Sequence, residues 1–271
     1  MSRTDYVVTP AELAGLAGAQ VLDVRWALGE APGTGRAAYL AGHIPGARYL
    51  DLEAVLTGPH TDARLGRHPL PDAERLGAGL GAVGVVADRP VVVYDVPGSS
   101  AASRAWWVLR WAGFDARVLD GGWLAWLTAG GAVETGDVAV APTRLDITVG
   151  HLPTIDAAGV AAWPGTLIDV RAAARYRGET EPIDPVAGHI PGAINRPVAG
   201  LWEADGTLPA AESLRTIFGD LTKPVAVYCG SGITATQGVL ALAVAGIDAA
   251  LYPPSWSGWV ADPTHPVAVG E

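Results

Sequence analysis

Val21-Leu22-Asp23-Val24-Arg25 recurs as Leu167-Ile168-Asp169-Val170-Arg171, and Gly42-His43-Ile44-Pro45-Gly46-Ala47 recurs as Gly188-His189-Ile190-Pro191-Gly192-Ala193. Val21 and Leu167, like Gly42 and Gly188, are 146 positions apart. Pro90-Val91-Val92-Val93-Tyr94-Asp95 matches Pro224-Val225-Ala226-Val227-Tyr228-Cys229 at an offset of 134, and Trp123 and Trp126 match Trp256 and Trp259 at 133. Self-similarity over this distance, in unchanged order, means a duplicated domain of roughly 120 residues. The boundaries that follow are residues 1–130 for the first copy, 131–153 for a linker and 154–271 for the second copy.

Each copy alternates short β-branched runs with helical patterns. In the first, Thr9-Pro10 opens a helix with a cap and a proline in its first turn. Val21–Val24 and Val91–Tyr94 read as strands, Pro71-Asp72-Ala73-Glu74 starts a helix, Ser99–Trp111 is a helix, and Arg117–Leu119 is a further strand. The second copy repeats this through Leu167–Val170, Leu208–Phe218, Val225–Tyr228, Gln237–Val244 and Ala249–Tyr252. The expected fold class is therefore α/β: two tandem domains, each a mostly parallel sheet with helices on both faces. The linker mixes Gly, Pro, Thr and Val, with a short strand expected at Arg144–Val149.

The chain has one cysteine among 271 residues, and it stands at a chemically expressive place. Cys229 ends an apolar strand, and Gly230-Ser231-Gly232-Ile233-Thr234 leads from it into a helix. A side chain at the carboxyl end of a strand reaches the crevice outside the sheet. Glycines let successive amides turn toward the sulfur, and the helix N-terminus adds positive potential. Both favour the thiolate, which is the nucleophile. A single cysteine forms no internal disulfide and no cysteine zinc cage, so sulfur loaded on Cys229 must leave to an external acceptor.

Composition narrows the classes. The chain is 49% hydrophobic and 17% charged, enough for a substantial core. A net charge of −10 argues against a nucleic-acid surface. No apolar run is long enough to span a membrane, and Met1-Ser2-Arg3-Thr4-Asp5 has no signal-peptide core. A cytoplasmic setting is expected.

The two Gly-His-Ile-Pro-Gly-Ala sequences, the Asp-Val-Arg strand ends and the strand–cysteine loop–helix together resemble the two-domain rhodanese-type sulfurtransferases, over nearly the whole chain. The resemblance implies a catalytic second domain and an inactive first one, in which Asp95 stands at the cysteine's place. The loop Cys229-Gly230-Ser231-Gly232-Ile233-Thr234-Ala235 looks like that of the 3-mercaptopyruvate branch. Thiosulfate-preferring relatives carry basic residues after the cysteine, where Gly230 and Ser231 are neutral. A neutral loop suits a singly charged carboxylate better than doubly charged thiosulfate.

What the resemblance implies for the site is as follows. Cys229 takes sulfur from 3-mercaptopyruvate as a persulfide and passes it to a thiol, a thioredoxin-like protein or cyanide. Amides from Gly230 to Thr234, including those of Gly232 and Ile233, stabilise the negative sulfur. Ser231, His68 and a carboxylate from Glu53 or Asp51 form a proton relay. Arg175, assisted by Arg177, holds the substrate anion. The second arginine that the branch often carries is missing from Glu179-Thr180-Glu181-Pro182-Ile183-Asp184-Pro185. No metal, organic cofactor, nucleic acid or membrane is implied. The alternative activity is transfer from thiosulfate. More remote are a non-enzymatic sulfur carrier and a dual-specificity phosphatase, whose loop needs a phosphate-binding arginine; no Arg or Lys follows Cys229. His43, His189, Arg25 and Arg171 read as structural, and Trp106, Trp107 and Trp111 as core or domain interface.

Overall fold

The computed structural model describes residues 2–271. The chain divides into two compact units. One gathers the chain up to Gly58, Leu70–Leu152 and Trp202–Leu208; the other gathers Pro59–Pro69, Pro153–Leu201 and Pro209–Glu271.

In the first unit the elements are β1 (Val7–Val8), α1 (Pro10–Gly15), β2 (Gln20–Asp23), α2 (Thr34–Ala41), β3 (Arg48–Tyr49), α3 (Leu52–Val55), α4 (Ala73–Ala82), β4 (Val91–Tyr94), α5 (Ala101–Trp111), β5 (Ala116–Leu119) and α6 (Gly122–Thr128). All pairings are parallel, in the order β1-β5-β4-β2-β3. The second unit holds α7 (Ala157–Ala161), β6 (Thr166–Asp169), α8 (Ala173–Tyr176), β7 (Ile194–Asn195), α9 (Ala211–Phe218), β8 (Val225–Tyr228), α10 (Ala235–Val244), β9 (Ala249–Leu251) and α11 (Ser255–Trp259). Its sheet is also parallel, in the order β7-β6-β8-β9. Every residue of β4 and β8 is buried, as expected for central strands covered on both faces.

The caps explain the helix starts. Thr9 caps α1 by accepting Glu12 N–H, Glu12 returns the bond to Thr9 N–H, and Pro10 takes the first helical position. Trp106 and Trp107 of α5 are buried, with Trp111 nearly so, and Trp256 and Trp259 enter the second unit's core beside Tyr228 and Tyr252.

One expectation fails. Arg144–Val149 is not a strand. The linker has found backbone partners on a helix end instead: Thr143 N–H donates to Gly81 O, and its hydroxyl donates to Val85 O. Gly77 leaves room for Leu145 O, which lies 3.1 Å from where a Cβ would stand. Among the described residues no strand pairs with this segment, so no ladder forms.

The repeated motifs prove to be one buried lattice built twice. Arg171 folds back on Asp169 with Nη2–Oδ2 at 2.7 Å and donates to Gly188 O at 2.6 Å. Arg25 does the same with Asp23 and with Gly42 O, at 2.5 and 2.7 Å. The Tyr94 and Tyr228 hydroxyls accept from Ile44 N–H and Ile190 N–H. His43 and His189 hydrogen-bond through Nδ1 to Tyr39 O and Tyr176 O and stack on those tyrosines. The Gly-His-Ile-Pro-Gly-Ala turn is thus tied to the end of the Asp-Val-Arg strand.

Asp95 follows β4 as Cys229 follows β8, and its carboxylate accepts Ala102 N–H at 2.8 Å. Burial pushes its pKa up to about 6, against the hydrogen bonds from Ala102 and Ser99. An acid that holds its proton more tightly folded than unfolded costs stability as pH rises above the unfolded value near 4, and the cost is complete above the folded value. Asp95→Asn is therefore expected to raise stability by about 2–3 kcal/mol at pH 8 and to change it little at pH 4. Thermal unfolding at the two pH values checks this; an equal effect at both would contradict it.

Candidate active site

The second unit assembles a site around the carboxyl end of β8. Cys229 follows Tyr228, the last strand residue, and the chain turns through Gly230–Thr234 into α10. Gly232 N–H points back at Cys229 Sγ, 3.2 Å away. Gly232 has φ of +81°, and a Cβ there would fall 2.3 Å from Pro253 O, so the turn that aims this amide requires glycine. Cys229 is only 2% exposed, and its sulfur has two polar neighbours, Gly232 N–H and the Ser255 hydroxyl.

The start of α11 clamps the loop. Trp256 N–H donates to Cys229 O and Ser257 N–H to Gly230 O, both at 2.9 Å. Ser255 Oγ accepts Cys229 N–H at 3.1 Å, donates to Tyr252 O at 3.0 Å and lies 3.9 Å from Sγ. Among the described residues Ser255 is the only non-glycine with positive φ, at +53°. Such backbone persists where surrounding contacts over-determine it.

The segment Pro59–Pro69 completes the site. Gly66, with φ of +80°, passes so close to Pro254 that a Cβ would lie 2.4 Å from its carbonyl oxygen. Arg67 N–H donates to Ser257 Oγ at 3.1 Å. This seats His68, 5% exposed, with Nδ1 at 2.9 Å from Ser231 Oγ. It also places the Arg67 guanidinium against the loop: a Cβ on Gly230 would stand 3.0 Å from Arg67 Nη2 and 3.6 Å from Arg175 Nη1.

Both arginines are held by carboxylates. Asp184 bridges them, pairing with Arg67 through Oδ1 and with Arg175 through Oδ2, the latter at 3.2 Å. Glu181 takes Arg175 at 2.6 Å and Arg171 at 3.3 Å. Burial raises the Asp184 pKa, and the neighbouring Arg67 only partly offsets this. Burial also works to raise that of Glu181, but hydrogen bonds from Arg175 and from the Asp184 and Ile183 amides outweigh it, and the net shift is downward.

The rhodanese-like domain family matches the chain twice, over residues 9–129 and 155–262. The chain belongs to the rhodanese family. It is 46% identical over 99% of both chains to a Mycobacterium tuberculosis protein named provisionally as a thiosulfate sulfurtransferase, SseB. It is 43% identical to a Pseudomonas aeruginosa protein named as a probable 3-mercaptopyruvate sulfurtransferase, covering 93% of this chain and 92% of that one. Among solved structures, SseA from Escherichia coli, a 3-mercaptopyruvate sulfurtransferase, superposes with a TM-score of 0.77 at 32% identity, over 93% of this chain and 99% of that one. These relatives bear the sulfurtransferase name with two different donors.

Within this rhodanese the residues anticipated from sequence are placed as follows. Cys229, Gly230, Ser231, Gly232, Ile233 and Thr234 form the loop, His68 joins Ser231, and Arg175 stands beside Gly230. Arg177 pairs with Glu179 at the surface, at 2.7 Å. Asp51 and Glu53 belong to the first unit, where Asp51 caps α3 by accepting Ala54 N–H at 2.9 Å. Arg67, Asp184, Glu181 and Ser255 are the site neighbours that local sequence does not announce. The signals for them are weak: Arg67 adjoins His68, and Glu179-Thr180-Glu181-Pro182-Ile183-Asp184-Pro185 holds three acids and no arginine.

Proposed function

We propose that this rhodanese transfers sulfane sulfur from 3-mercaptopyruvate to a thiophilic acceptor through a Cys229 persulfide. The observation that carries this reading is the Gly232 N–H directed at Cys229 Sγ, with Ser231 of the same loop paired to His68 of the Pro59–Pro69 segment. The Cys229 thiolate attacks the donor's sulfur; the S–S bond forms as the carbon–sulfur bond breaks, and its electron pair leaves as the enolate of pyruvate. The proton that the donor thiol gives up finishes on that carbon. Ser231 and His68, in hydrogen-bond contact, are suited to carry it. Gly232 N–H stabilises the negative sulfur as an oxyanion hole stabilises oxygen. Arg175 and Arg67 receive the donor's carboxylate. An acceptor thiolate then takes the outer sulfur and regenerates Cys229.

A thiol or thioredoxin-like acceptor in the cytoplasm completes the proposal. In its support, no helix among the described residues is long and apolar enough to cross a membrane. The second reading is thiosulfate as donor, favoured by the two guanidinium groups beside Gly230 and by the name of the M. tuberculosis relative. A side-by-side donor assay decides: kcat/KM for 3-mercaptopyruvate is expected to exceed that for thiosulfate by roughly tenfold or more, the reach of one discriminating charge contact. The reverse ranking would make thiosulfate the donor.

A further inference from the structure

Two arginines facing the residue after a catalytic cysteine would ordinarily make a strong dianion site. Here they are not free to do so. Arg67, Arg171 and Arg175 are met by Asp169, Glu181 and Asp184, so three positive charges stand against three negative ones. Glu181 serves Arg171 as well as Arg175, and Asp169 belongs to the strand-end lattice. Asp184 is different: its carboxylate spans the two arginines nearest Gly230, its side chain is 4% exposed, and Arg67 Nε is left buried without a hydrogen-bond partner among the described residues. Arg67 is thus tethered through one end of its fork.

We propose that Asp184 is the residue that sets donor charge: by bridging Arg67 and Arg175 it cancels one positive charge at the anion site and biases the enzyme toward singly charged donors over thiosulfate. The inference rests on the proposed sulfur transfer for its substrates, but the electrostatics are independent of turnover. A bound donor faces the Asp184 carboxylate a few ångströms beyond the arginines. Each negative charge on the donor is penalised by that carboxylate, so a dianion is penalised about twice as much as a monoanion. Asp184 does not touch the reacting atoms; it acts through the two guanidinium groups.

The test compares wild-type protein with Asp184→Asn and Asp184→Glu. The ratio of kcat/KM for thiosulfate to that for 3-mercaptopyruvate is expected to rise about tenfold or more in Asp184→Asn, and to stay near the wild-type value in Asp184→Glu, which keeps the charge. Equilibrium binding of sulfate against pyruvate, measured calorimetrically on the same proteins, should move in the same direction. If Asp184 only holds the arginines in place, Asp184→Asn will weaken both donors by the same factor and leave both ratios unchanged, which overturns the proposal. If the wild-type protein turns over neither donor, the proposed function fails, and the sulfate-to-pyruvate binding ratio still decides the role of Asp184. Should Asp184→Asn fail to fold, Asp184→Ser takes its place, with the same rise expected in both ratios and the same unchanged ratios overturning the proposal.

Discussion

Cys229→Ser is expected to lower sulfur transfer by more than about a thousandfold, with thermal stability nearly unchanged. A serine hydroxyl fits the turn and can still accept Gly232 N–H, so the loop, clamped through Cys229 N–H and O by Ser255 and Trp256, should keep its shape. What disappears is a thiol nucleophile that can hold a second sulfur. Activity of Cys229→Ser within tenfold of the wild type, measured with either donor, would contradict the assignment. Comparable loss accompanied by a collapsed melting transition would mean that the cysteine serves the fold instead.

The largest stability effect is expected from Arg171→Ala. The Arg171 and Asp169 side chains are 2% and 0% exposed, and Arg171 also reaches Gly188 O, Glu181 and the face of Trp256, 4.6 Å from its centroid. Removing the guanidinium leaves the Asp169 carboxylate buried without its counter-charge and Gly188 O without its donor. Breaking a buried pair from one side typically costs about 3–5 kcal/mol. That is a fall in Tm of roughly 10–20 °C for a unit of this size. Because Arg171 also supports Glu181, which holds Arg175, the variant should bind donor more weakly even below its melting point. A fall in Tm of less than about 2 °C would show that the repeated lattice is dispensable.

The duplicated fold was open to reading because the features that announce it are local. Val91–Tyr94 and Val225–Tyr228 are continuous apolar runs that only a doubly covered strand needs, and both are central strands with these bounds. Thr9-Pro10 carries its capping chemistry within four residues. The structural reading of His43 and His189 follows from their turns, and both are buried, stacked and bonded to backbone. The cysteine loop likewise advertises itself through glycines whose φ and close contacts can be anticipated.

What sequence order hides is the set of partners supplied from elsewhere in the chain. Arg67 and His68 lie within the sequence of the first copy, yet Pro59–Pro69 packs in the second unit through Gly66, Ser257 and Pro254. No periodicity in those residues encodes this. Asp184 and Glu181 look like a solvated acidic stretch until Arg67 and Arg175 are seen to meet there. The failed strand at Arg144–Val149 teaches the same lesson: its composition suits a strand, but Gly77 and Gly81 on α4 offer the linker a place to lie.

The most direct test of the account is the location of the transferred sulfur. Wild-type protein treated with 3-mercaptopyruvate, freed of donor and digested without reductant, should yield one peptide heavier by a single sulfur atom, the one containing Cys229, and cyanide or a thiol should remove that mass. An active enzyme whose Cys229 peptide stays unmodified throughout turnover, or whose added sulfur is found on another residue, would contradict it.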